Sequence, residues 1–170
     1  MAYLLARVLY YIKPLMTCSS FDPHDHAACR ATALSQAESA CAAQGLQFTP
    51  MRRRVLDVLL GAPKAMGAYD ILELVTPEGQ KRQPPAVYRA LDFLTSNGFA
   101  HRLEKLNAYV ACACPGAAHR PAFLICRVCD RVAEATDVAP RRLGDEAAAQ
   151  GFRIERTVVE ALGICPGCAA

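Results

Sequence analysis

No stretch of this 170-residue chain stays apolar for the roughly 20 residues needed to cross a bilayer. The first apolar run, residues 2–12, is broken by Arg7. It lacks a basic start and a small-x-small cleavage site, which argues against a secretory signal. Met16 is as good a candidate start as Met1, and residues 1–28 are expected to be an extension outside the fold, disordered or in part not translated. A large charge excess is also missing. The formal net charge is +3, and the excess falls within residues 1–107, a modest hint that this half meets a polyanion. The motif His-Glu-x-x-His and any nucleophile–base pair are absent, so zinc-hydrolase chemistry lacks its parts. Five of the nine cysteines follow no paired framework, which favours metal-binding thiols in a reduced, cytoplasmic setting over a disulfide scaffold. The expectation is a cytoplasmic protein with no membrane partner and no small-molecule substrate.

The other four cysteines form two Cys-x-x-Cys pairs, Cys126/Cys129 and Cys165/Cys168. Each pair has the spacing of a zinc knuckle, and two knuckles complete the closed tetrahedral site that structural zinc prefers. The competing readings are two disulfides or the redox dithiol of a thiol–disulfide oxidoreductase. Four thiolates on one zinc leave no open coordination position, which counts against an enzyme.

Residues 30–98 read as four helices. The first, 30–44, is rich in Ala, Gln and Glu and stops at Gly45. Thr49 caps the second, with Pro50 at its first position and Val55, Leu56, Leu59 and Leu60 on its apolar side. The third, Ala68–Val75, turns Ile71, Leu72 and Val75 inward. The fourth starts at Pro84-Pro85 and ends at Asn97-Gly98, with Val87, Ala90, Leu91 and Leu94 as a buried stripe. That leaves Tyr88 and Arg89 exposed near its N-terminus, as in a helix that enters a DNA major groove, where Arg89 could take a guanine edge in bidentate fashion. The pattern alone fits an ordinary surface helix equally well. Residues 99–104 and 108–112 form a hairpin around Leu106-Asn107, a wing in this position, with Lys105 near its tip for a phosphate. Arg52, Arg53 and Arg54 open the second helix, either as a solvated face or as phosphate contacts.

Residues 121–126 and 130–136 read as strands flanking the first knuckle, 140–150 as a helix, and 152–162 as a strand leading into the second knuckle. So small a unit has little core of its own, and pairing through a sheet edge predicts a homodimer. His101, Cys112, His119 and Glu134 make an acceptable zinc set around the junction of the halves. Spacing does not bring them together, and singly each has a plain reading: surface His, small buried Cys, solvated Glu. The fold class expected is α+β: an N-terminal winged helix (29–111), a hinge (112–120) and a small C-terminal α/β dimerisation domain with a four-cysteine zinc site (121–170).

Leu46-x-Phe-Thr-Pro-x-Arg, Ala68-Tyr-Asp-Ile-Leu, Pro84-Pro-Ala-Val-Tyr-Arg-Ala-Leu-Asp-Phe-Leu, Gly98-Phe-Ala-His, Asn107-Ala-Tyr-Val-Ala-Cys and His119-x-x-x-Phe-Leu-Ile-Cys-x-x-Cys, closed by the terminal knuckle, resemble the ferric uptake regulator family. Within it they are most similar to the zinc-uptake branch. The resemblance covers roughly residues 38–168. It implies a dimeric repressor of zinc-uptake genes that binds an AT-rich palindromic operator in double-stranded DNA, with two zinc ions per chain. It implies structural zinc on Cys126, Cys129, Cys165 and Cys168, and regulatory zinc on His101, Cys112, His119 and Glu134. Tyr69 and Arg89 carry over as DNA-reading residues, with Tyr88 adjacent. An iron- or peroxide-sensing member is the alternative, but residues 118–122 hold a single His where the iron branch has a His/Asp cluster. Ala86 replaces the Thr or Ser often found there, which removes one hydroxyl contact to phosphate. Cys114 could compete with Cys112, and His24, His26 and Cys29 read as part of the tail rather than as an auxiliary site. Roles for Cys18 and Cys41 do not follow from the sequence.

Overall fold

The computed structural model describes residues 26–113, 115, 121–135, 141–155 and 157–169. Four helices come first: α1 (His26–Ala43), α2 (Pro50–Gly61), α3 (Ala68–Val75) and α4 (Pro84–Ser96). α1 begins four residues before the expected start, so the end of the presumed extension is helical. The Ala-rich segment 27–33 favours helix, and the Thr32 hydroxyl donates to the Ala28 carbonyl. The Thr49 side chain accepts from the Arg52 N–H at 3.4 Å, and Pro50 occupies the first turn of α2, as expected. The Asp70 carboxylate reaches back to the Gly67 N–H at the start of α3. α4 ends where Gly98 takes φ +70°, letting the Phe99 N–H close on the Leu94 carbonyl.

Strands β1 (Ala100–Leu103) and β2 (Ala108–Ala111) pair antiparallel as the wing. Asn107 supplies the left-handed residue of the turn at φ 46°. An isolated bridge between Met66 and Tyr109 ties the α2–α3 loop to β2. The helices and wing share one core containing Leu34, Val55, Ile71, Val87, Leu91, Leu94 and Phe99. Cys41 lies within it as a small apolar side chain, and burial pushes its thiol pKa up.

The C-terminal half is a three-stranded sheet of order β4-β3-β5, with β3 Ala122–Cys126, β4 Val132–Ala135 and β5 Val159–Gly163. β3 is antiparallel to β4 and parallel to β5, and α5 (Arg141–Ala149) lies between β4 and β5 in sequence. The strand expected over 152–162 is shorter and later than the sequence suggests. Val159 pairs with Ala122, the first residue of β3, and the residue before that is Pro121, which has no N–H to extend the ladder. A second apolar cluster joins the halves: Leu103 of β1 packs with Phe123, Ile125 and Val132, bordered by Ala65 and Val110. No described helix is long and apolar enough to cross a membrane.

Candidate metal centres and nucleic-acid surface

The two knuckles converge. The ligand atoms of Cys126, Cys129, Cys165 and Cys168 all lie within 4.8 Å of one another, and the four thiols are not bridged. β3 ends at Cys126 and β5 runs parallel beside it, so the parallel register carries both pairs to the same end of the sheet. The Cys129 and Cys165 sulfurs are 3.7 Å apart. Two thiolates about 2.3 Å from a tetrahedral zinc lie about 3.8 Å apart, so the donor set fits that ion. The Cys165 N–H donates to the Cys126 sulfur at 3.3 Å, and that bond leads the causes holding the Cys126 thiol down at about 6. Cys168 is pushed up to about 12, chiefly by the neighbouring Cys165 thiol. One thiolate is therefore favoured and further ionisation is resisted, and a bound dication would supply the missing positive charge.

A second cluster lies at the junction of the halves. The ligand atoms of His101, Cys112 and Glu134 fall within 4.8 Å of one another. His101 comes from β1, Cys112 follows β2, and Glu134 projects from β4. His101 Nε2 is 3.5 Å from Glu134 Oε1, and the two side chains are 16% and 5% exposed. Two features orient the carboxylate and the ring. Glu134 Oε2 accepts from the Ala113 N–H at 2.9 Å, and the His101 ring lies 5.4 Å from the Phe123 ring. An imidazole, a thiol and a carboxylate at these separations fit a zinc ion with a fourth position to spare. His119, the fourth expected ligand, lies outside the described residues, as do Cys114, Cys18 and His24.

The expected nucleic-acid residues are distributed over the helical half. α4 buries Val87, Ala90, Leu91 and Leu94 as the periodicity predicts, which leaves Tyr88 and Arg89 exposed. Tyr69, at the start of α3, is 70% exposed. Lys105 is exposed in the wing turn. Arg52 is held differently. Its guanidinium lies 3.5 Å from the centroid of the Phe93 ring and donates to the Gln47 carbonyl, so it ties α2 to α4 whatever else it touches. Arg53 is paired with Glu38 of α1, and Arg54 is exposed. Sequence reasoning missed Glu160, whose carboxylate reaches the wing turn. It also missed the apolar joint at Leu103, Phe123, Ile125 and Val132. The unbroken apolar run Ala122–Cys126 was the available signal for the joint, and nothing local signals the partner of Glu160.

A sequence model of the ferric uptake regulator family matches residues 43–161. The zinc uptake regulation protein of Escherichia coli K12 is 38% identical over 137 residues, which is 79% of this chain and 80% of that one. A structure of a zinc uptake regulator complexed with zinc and DNA superposes with a TM-score of 0.77 at 37% identity, covering 82% of this chain and 95% of that one. The crystal structure of holo XcZur gives 0.74 at 41% identity, over 81% and 97%.

Proposed function

This chain belongs to the ferric uptake regulator family, and from that premise we propose that it is a zinc-responsive transcriptional repressor. It works in the cytoplasm as a homodimer on double-stranded operator DNA; it is a regulator, not an enzyme. The observation that carries the reading is the His101–Cys112–Glu134 cluster, whose donors come from the wing on one side and the C-terminal sheet on the other. Zinc bound there would cross-link the two halves, and the Cys112 thiolate favours zinc over the harder ions of the iron-sensing alternative. His119 is assigned as the fourth ligand. Cys126, Cys129, Cys165 and Cys168 form a separate, closed structural centre, which gives two zinc ions per chain. Residues 29–111 form the DNA-binding unit, 112–120 the hinge and 121–170 the dimerisation unit.

In this arrangement His101 and Cys112 fix the base of the wing against Glu134, and α4 is packed on the wing through the core around Phe99 and Leu94. The angle of the wing therefore sets the angle of α4, from which Arg89, with Tyr88 adjacent, reads the DNA together with Tyr69 of α3, while Arg52 and Lys105 meet backbone phosphates. Two copies in a dimer then present two such helices at one spacing, as a palindrome requires. The expected operator is AT-rich and controls zinc-uptake genes. Dimerisation is supported by the outer strand β5 and the exposed apolar side chains Leu124, Val158, Leu162 and Ile164 in and around the sheet.

The deciding measurement is zinc per chain, as purified and after saturation and mild chelation, alongside DNA binding. One firmly held zinc rising to two, with operator binding only in the second state, supports the switch. A single zinc with metal-independent binding would leave a zinc-stapled DNA-binding protein and reject it.

A further inference from the structure

Glu134 of β4 and Glu160 of β5 are both paired with Phe123 of β3, so the three form one row across the C-terminal sheet. Directly opposite residues share a face. That face meets the wing, because Phe123 packs with Leu103 and against the His101 ring. The metal-ligating cluster accounts for Glu134. Glu160 does something else: its two carboxylate oxygens accept from successive main-chain N–H groups of the wing turn, Glu104 at 2.7 Å and Lys105 at 3.1 Å.

Both bonds are charge-assisted and cross from one half of the molecule to the other. The turn that presents the donors is itself fixed. Asn107 takes a left-handed φ of 46°, its N–H donates to the Glu104 carbonyl at 3.3 Å, and its side-chain oxygen accepts from Arg102 at 2.9 Å. The two N–H groups are therefore held ready for a carboxylate.

We propose that Glu160 is a positioning residue: a second latch which, together with the metal cluster, fixes the angle of the wing on the C-terminal sheet for DNA binding. This rests on the zinc-responsive reading above. The cluster holds the wing at its base through His101 and Cys112, and Glu160 holds it at its tip. A strand rise of about 3.3 Å puts Glu104 about 10 Å beyond His101. Strands about 4.8 Å apart put Glu134 and Glu160 about 10 Å apart across β3. The two spans match, so both attachments can be made together. One attachment lets the wing pivot. Two leave only rotation about the line between them, which the packing of Leu103 on Phe123 and Ile125 opposes. Lys105 is part of the latched turn, so the latch also fixes where its side chain can meet a phosphate.

The test compares the zinc-saturated full-length protein with Glu160→Gln, which keeps shape but only one acceptor oxygen, and Glu160→Ala, which keeps none. Three quantities are read: zinc per chain, amide hydrogen exchange at residues 104 and 105, and affinity for a duplex selected from a random-sequence pool by the zinc-loaded wild type. Zinc content and the dimer should be unchanged. Exchange at Glu104 and Lys105 should rise about tenfold and DNA affinity should fall about tenfold, more for Ala than for Gln. Unaltered exchange and affinity in both variants would overturn the latch. So would zinc loss with exchange rising throughout β3 and β5, since Glu160 would then only support the sheet. A wild type that binds DNA without regard to zinc rejects the functional reading instead, while protection of the turn by Glu160 is still decided by the exchange data.

Discussion

At the scale of single residues, the side chains with metal-ligand chemistry were legible and their partners were not. The knuckle spacing identified Cys126, Cys129, Cys165 and Cys168 directly, because the motif is local. The hairpin pairing sets His101 beside Cys112, and only the wing-to-sheet packing adds Glu134, from a distant part of the chain, to bring all three within 4.8 Å. Replacing Cys112 by Ser should leave a folded dimer that holds one zinc per chain and has lost zinc-dependent operator binding. Metal content and a DNA titration check it, and an unchanged zinc response would remove Cys112 from the switch. Arg89→Ala should abolish sequence preference with both zinc ions retained, and surviving preference would disprove the assignment of α4 as the reading helix. Arg30 and Asp57 carry a different prediction. Their hydrogen bond, first among the causes, holds the Asp57 carboxyl below its usual value. A depressed carboxyl pKa gives stability that is full above the unfolded value near 3.9 and is lost as pH falls through the folded value. Both groups are more than a third exposed, so screening limits the effect to a few tenths of a kcal/mol. Asp57→Asn should remove that small acid-side dependence, read from denaturant midpoints between pH 5 and 2.

At the scale of elements, punctuation was readable and register was not. Thr49-Pro50, the Asn97-Gly98 stop and the stripe of α4 all depend on neighbours within a turn, and the structure follows them. Thr49→Ala removes the cap on the Arg52 N–H and should cost about 1 kcal/mol, seen as a lower melting temperature with the DNA site otherwise intact. β5 shows the limit of local reading. Its β-branched approach reads as strand, but the position facing Val158 is Pro121, which has no N–H to extend the ladder, a fact that belongs to another part of the chain. Phe123 and Ile125 are buried against the wing on one face, and on the other Leu124 stands exposed between the buried Ala122 and Cys126.

At the scale of the whole molecule, the two clusters of metal-ligating side chains differ in what they hold together. The four cysteines close one unit, with Cys126 and Cys165 brought together by the parallel β3–β5 pairing. The junction cluster spans two units and is supported by the apolar joint around Leu103 and Phe123. Driving a closed arrangement from 1:99 to 99:1 takes about 5.5 kcal/mol of differential affinity. At the junction that free energy is drawn from metal binding, so its ion is held less firmly than one in a preformed site of the same donors. The cysteine centre has no such conformational cost and is closed to water on all four sides. A graded chelator titration should therefore remove zinc in two steps. The first should end operator binding with the dimer intact. The second should unfold the C-terminal sheet, because a structural zinc contributes directly to folding, while the helical core around Leu91 and Leu94 persists. Zinc content, sedimentation and far-UV dichroism followed along one titration check the order. Loss of both ions in a single step, with dimer and DNA binding failing together, would mean that the two centres are not independent.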